Sequence, residues 1–180
     1  MQFKKLTFLL ILIILVVTGC DSKKETVVKE QTKFQISSQL APQLTLEKND
    51  IGIDFKELKG KVILLNFFAT WCPPCKAEIP HLIRLKDKYK DNFEIVALNM
   101  GEENGTLSPQ EKVNAFINDY MINYHVSNSK ENFKISDIMG NVRVIPTMFL
   151  FDTTGKIVQK YVGIVPEEMM ETDIKKALGI

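Results

Sequence analysis

Residues 62–68 read VILLNFF, and four residues further on the chain reads CPPC. A strand with one wet face alternates apolar and polar side chains. This run does not alternate, which is the pattern of a strand covered on both faces. A central strand of that kind needs a layer of structure on each side of its sheet, which points to an α/β architecture. The run also ends directly at a cysteine pair, Cys72 and Cys75, with Pro73 and Pro74 between them.

The segments around it alternate in type. LTLEKND and IGIDFKELKG, from Leu44 to Gly60, predict a short strand pair. Pro74 to about Lys90 predicts a helix with Ile79, Leu82, Ile83 and Leu85 apolar, and Pro80 kinks it. Phe93–Met100 predicts a second buried strand. Ser108, Pro109 and Glu111 form a capping-box pattern ahead of Val113, Phe116, Ile117 and Tyr120, which share one helical face. A short strand near His125 and a short helix over Asn132–Met139 follow. TMFLF and KIVQKYV flank DTTG as an antiparallel hairpin, and Pro166 opens a final helix running to about Leu178. The order βαβ, helix, ββα implies a mixed sheet flanked by helices.

Cys72 falls where the buried strand gives way to a helix, at the sheet edge where open α/β folds place their chemistry. Unpaired N–H groups at a helix start favour a thiolate. Cys75 at i+3 shares the face and lies within disulfide reach. Cys72 can therefore attack a disulfide, and Cys75 can resolve the mixed disulfide that results. A structural staple gains little from so short a loop. Half a zinc site would need two further ligands, and only His81 and His125 exist, without zinc-type spacing. A copper-delivery site built from the thiol pair and a distal histidine is a further alternative.

Pro73 and Pro74 also bear on direction, because neither carries an N–H to hold a Cys72 thiolate. A less stabilised reduced form is a better electron donor, so the bridge favours a reductase over an oxidase. Glu78 shares a helical face with Cys75, where a poorly solvated carboxylate could accept its proton and raise both thiol pKa values. The alternative is a solvated surface acid.

The N-terminus accounts for the third cysteine. MQFKKLTFLLILIILVVTGC has two lysines, then an apolar run of signal-peptide length, too short to span a bilayer comfortably. An uncleaved anchor helix is the alternative. VVTGC resembles the lipobox of bacterial lipoproteins, which implies lipidation of Cys20. Residues 1–19 then form a signal peptide, residues 20–39 a lipidated flexible tether, and residues 40–180 the folded domain. About 20 flexible residues reach roughly 25 Å. With 23 Lys plus Arg against 22 Asp plus Glu, the net charge of +1 offers no footprint for nucleic acid.

LKGKVILLNFFATWCPPC and AEIP resemble the membrane-tethered TlpA/ResA/CcmG-like group of thioredoxin-fold proteins, over about Leu40 to Ile180. The resemblance implies a thioredoxin fold with an N-terminal β extension and a central insertion. It also implies extracytoplasmic thiol–disulfide exchange, with no cofactor beyond the Cys72–Cys75 disulfide. The implied clients are protein disulfides such as the CxxCH cysteines of apocytochrome c, and the implied reductant is a transmembrane thiol-electron carrier. It marks Cys72 and Cys75 as catalytic, Glu78 as the thiol-tuning acid, Pro80 as the kinking proline and Trp71 as a substrate-facing residue beside the attacking sulfur. For Trp71 the alternative is simple packing. The resemblance further implies a cis Ile145–Pro146 bond presenting main chain to a bound peptide; the alternative is a trans proline opening a strand. Asn66 stands where soluble thioredoxins carry a buried aspartate, which favours the tethered group, and it also reads as a structural amide satisfied by backbone. Broader extracytoplasmic disulfide repair and copper delivery are the rival functions.

Overall fold

The computed structural model describes residues 31–180. The expected signal peptide, Cys20 and most of the expected tether lie outside the described residues. Two sheets form the frame. β1 (Lys33–Ile36), β2 (Leu44–Lys48) and β3 (Ile53–Phe55) make a three-stranded antiparallel sheet. The central sheet contains β4 (Val62–Phe68), β5 (Phe93–Asn99), β6 (His125–Ser127), β7 (Thr147–Phe151) and β8 (Ile157–Val162) in the order β6-β5-β4-β7-β8. β4, β5 and β6 are parallel, and β7 and β8 run antiparallel to their neighbours. The helices are α1 (Pro73–Lys88), α2 (Gln110–Asp119), α3 (Glu131–Ile138) and α4 (Glu167–Leu178).

The apolar run of β4 is buried at all seven positions because its two faces feed two different cores. Val62, Leu64 and Phe68 join Ile95 and Ala97 of β5, Met148 and Leu150 of β7, Leu82 and Leu85 of α1, Val113 of α2 and Ile174 of α4. Ile63, Leu65 and Phe67 point the other way. They join Val96, Leu98, Phe149, Phe151, Ile135 of α3 and the apolar side chains of the three-stranded sheet. The period of two is intact; both phases are apolar because both sides are dry.

Two expectations are corrected. The domain begins before residue 40: Lys33–Ile36 is a strand paired with β2, and it buries Phe34 and Ile36 in the second core. Its alternation over four residues, KFQI, is too short to stand out from the polar stretch around it. The capping box ahead of α2 does not form. Pro109 occupies the cap with no side-chain hydrogen bond, and the Ser108 hydroxyl instead accepts from Asn99 Nδ2 at 3.0 Å.

The connection from β1 to β2 does more than turn. Gln39 Nε2 donates to the Tyr124 carbonyl at 2.6 Å, and its Oε1 accepts from Val126 N–H at 3.0 Å. One side-chain amide thus pairs with the outer edge of β6 as a neighbouring strand would. Ser38 Oγ lies 2.8 Å from His125 Nδ1 beside it.

Because β1 belongs to the core, Phe34→Ala is expected to lower unfolding free energy by about 3–5 kcal/mol. Urea denaturation measures this; a midpoint equal to that of the unmutated chain would return residues 33–36 to the tether.

Candidate active site

Parallel strands end where antiparallel ones begin, so one edge of the central sheet collects several junctions. The ends of β4, β5, β6 and β8 and the start of β7 all lie there. The loop after β4 brings Trp71 and Cys72 to this edge, and the loop before β7 brings Ile145 and Pro146.

Cys72 is the N-cap of α1 and is disulfide-bonded to Cys75, with Cα atoms 5.3 Å apart. Pro73 and Pro74 fill the first two helical positions and supply no N–H. The Cys75 N–H remains and donates to Cys72 Sγ at 3.2 Å. The helix start therefore offers the sulfur one donor where an ordinary first turn would offer more. Both cysteines are buried, at 2% and 4% exposed. The Ile145 carbonyl oxygen lies 3.9 Å from Cys72 Sγ, and the Ile145–Pro146 bond is cis, so the trans alternative is set aside.

Glu78 is not a surface acid: it is 1% exposed. Its position i+3 from Cys75 turns it inward with Ile79 and Leu82, along the buried face of α1. Oε1 accepts from the Val165 N–H at 3.2 Å, and Oε2 is buried without a partner. Burial raises its pKa from 4.5 to about 7, against the lowering effect of that hydrogen bond. Burial likewise holds the Tyr124 hydroxyl above its usual range, with the Glu78 charge adding to the effect. Neither Tyr124 nor Val165 was marked by the sequence. Val165 acts through its main chain, which leaves no side-chain signal.

Trp71 is half-buried, and its Nε1–H donates to the Gly101 carbonyl at 2.9 Å. Asn66 is buried in β4, but its Oδ1 has no partner, so the amide is not fully satisfied as expected. His125 sits on β6 beside Ser38, and burial lowers its pKa. Among the described residues no group of three or more His, Cys, Asp or Glu side chains could hold a metal ion.

A dithiol at a helix start, facing a cis-proline loop across the carboxyl edge of a mixed sheet, defines the thioredoxin-fold thiol–disulfide oxidoreductases. Comparison with known proteins agrees. The Redoxin family model matches residues 36–178, and the chain belongs to that family. It is 34% identical over 148 residues to the thiol-disulfide oxidoreductase ResA of Bacillus anthracis, covering 82% of this chain and 81% of the relative. With ResA of Bacillus subtilis it shares 35% over 132 residues, covering 72% and 69%. A crystal structure of a putative thiol:disulfide interchange protein DsbE from Chlorobium tepidum superposes with a TM-score of 0.65 at 25% identity, covering 82% of this chain and 94% of that one. The chain is thus a ResA/CcmG-like thiol–disulfide oxidoreductase.

The Glu78 carboxyl gives up its proton near pH 4.5 when unfolded and near 7 when folded. Its contribution to stability is therefore full below pH 4.5 and is lost as pH rises through 7, by about 3 kcal/mol in all. In urea titrations of the oxidised protein, Glu78→Gln is expected to remove this fall between pH 4.5 and 7. An unchanged pH profile would mean that Glu78 does not carry it.

Proposed function

We propose that this oxidoreductase works as a lipid-anchored, extracytoplasmic reductase of protein disulfides, with the CxxCH cysteines of apocytochrome c as its client class. One observation carries the direction of electron flow. The bridge between the cysteines supplies little to a negative Cys72 sulfur, since Pro73 and Pro74 lack N–H and Cys75 N–H donates alone from that turn. A thiolate held by fewer donors is less stable, and a dithiol with a less stable reduced form gives up electrons more readily.

The reaction follows from the placement of the groups. Cys72 thiolate attacks one client sulfur; the client S–S bond breaks and its other sulfur leaves as a thiolate. The Cys75 proton passes to the Glu78 carboxylate, whose pKa of about 7 suits both receiving and releasing it near neutrality. Cys75 then attacks Cys72 Sγ, and the second client sulfur departs. Two electrons have moved to the client, whose two thiolates take up one proton released by Glu78 and one from solvent, and the protein is left with the Cys72–Cys75 bond. A transmembrane thiol-electron carrier is the proposed source of the next electron pair. Trp71, Ile145 and Pro146 form the surface over which the client seats. The leader over residues 1–19 and the lipobox-like VVTGC support export and lipidation at Cys20.

The tests separate these claims. Cys72→Ser abolishes insulin reduction, and Cys75→Ala captures clients as mixed disulfides, apocytochrome c among them. The equilibrium potential falls nearer the about −270 mV of thioredoxin than the about −120 mV of DsbA; a value near the latter overturns the reductase reading. Cys20→Ser moves the protein from the membrane pellet to the soluble fraction, and retention in the pellet rejects the lipid anchor.

A further inference from the structure

Beside the thiol site, at the same sheet edge, lies a cluster of buried amides and hydroxyls that the exchange reaction does not use. Asn99, Ser127 and Asn132 are fully buried, and Ser108 nearly so. Asn132 Nδ2 donates to the carbonyls of Asn99 and Ser127 at 3.0 and 2.9 Å, and its Oδ1 accepts from Ser127 Oγ at 3.0 Å. Asn99 Nδ2 donates to Ser108 Oγ and to Asn128 Oδ1, both at 3.0 Å, and Asn128 Nδ2 donates to the Ser108 carbonyl at 3.0 Å. Asn99 Oδ1 is buried without a partner, and the remaining bonds of the cluster fix its geometry, because displacing any of them strands a further desolvated group.

The geometry it fixes is the exit of β5. Asn99 is the last residue of that strand. The next N–H, of Met100, donates to the Phe68 carbonyl at the end of β4 at 2.8 Å. Gly101 follows with φ of 79°, where a Cβ would stand 2.2 Å from the Thr106 carbonyl oxygen. No other residue fits there; the Glu102 N–H closes the turn on the Thr106 carbonyl at 2.8 Å, and the Gly101 carbonyl receives the Trp71 indole N–H. Trp71 directly precedes Cys72.

We infer that Asn99, supported by Ser108 and Asn132, is a positioning residue for disulfide exchange with protein clients. By fixing the Gly101 carbonyl it sets the angle of the Trp71 indole, and so the seat a client takes over Cys72. It acts on docking and leaves the sulfur chemistry alone. The inference rests on the proposed client-facing role of Trp71.

Trp71 is the chain's single tryptophan, so its emission reports on the indole directly. In Asn99→Ala the emission maximum shifts and acrylamide quenching rises. Catalytic efficiency on insulin falls about fivefold, carried in KM, while reaction with 5,5′-dithiobis(2-nitrobenzoate) changes by less than about twofold. In a Trp71→Phe background, which lacks the indole N–H, Asn99→Ala takes nothing further from insulin reduction. Ser108→Ala gives the same pattern at smaller amplitude and stands in should Asn99→Ala not fold. Unmoved emission, equal losses in both backgrounds, or a parallel loss with the small disulfide would each overturn the inference. If the unmutated protein does not reduce insulin, the client reading fails instead, and the emission and quenching measurements still decide whether Asn99 sets the indole.

Discussion

Strand β4 touches water on neither side, and most of the molecule follows from that. Two dry faces demand two cores, and the cores recruit α1, α2 and α4 on one side and α3 with the three-stranded sheet on the other. The chain leaves β4 at the carboxyl edge and must return over one face, which starts α1 immediately beside that edge. The sulfurs are therefore carried at the start of a helix packed on the central sheet. The cis-proline segment before β7 reaches the same edge because β7 runs opposite to β4.

Within that frame the site combines two electrostatic economies. The first turn of α1 is stripped of donors by Pro73 and Pro74, so the dipole of the helix meets Cys72 mainly through the Cys75 N–H. Below it, Glu78 is held in a dry setting with a single main-chain donor, which lifts its proton affinity into the neutral range. A carboxyl so placed disfavours a second negative charge nearby while remaining able to take a proton from a thiol. In the proposed reaction this carboxyl is the base that takes the Cys75 proton.

Much of this was legible in the residues. The mainly apolar runs of β4 and β5, the DTTG hairpin and the helix opening at Pro166 carry strong local signals, and each element stands within about two residues of its expected place. The cysteine pair announced its chemistry through its spacing and its position after a buried strand. What escaped was set by tertiary contact. KFQI became a strand because β2 and the second core received it. Ser108 abandoned the cap of α2 because Asn99 offered a buried partner. The burial of Glu78 rests on what packs over α1, and the donor from Val165 is main chain, which any residue but proline there would provide.

The Gln39 amide closing the edge of β6 has a practical reach. A stretch such as residues 37–43 looks like a free surface connection, the usual place for engineers to splice an epitope, a fluorophore site or a permuted terminus. Here the length of the connection dictates whether a plug meets its socket. Such grafts belong elsewhere on the molecule, for the sheet would otherwise be left with a bare selvedge open to stray strands.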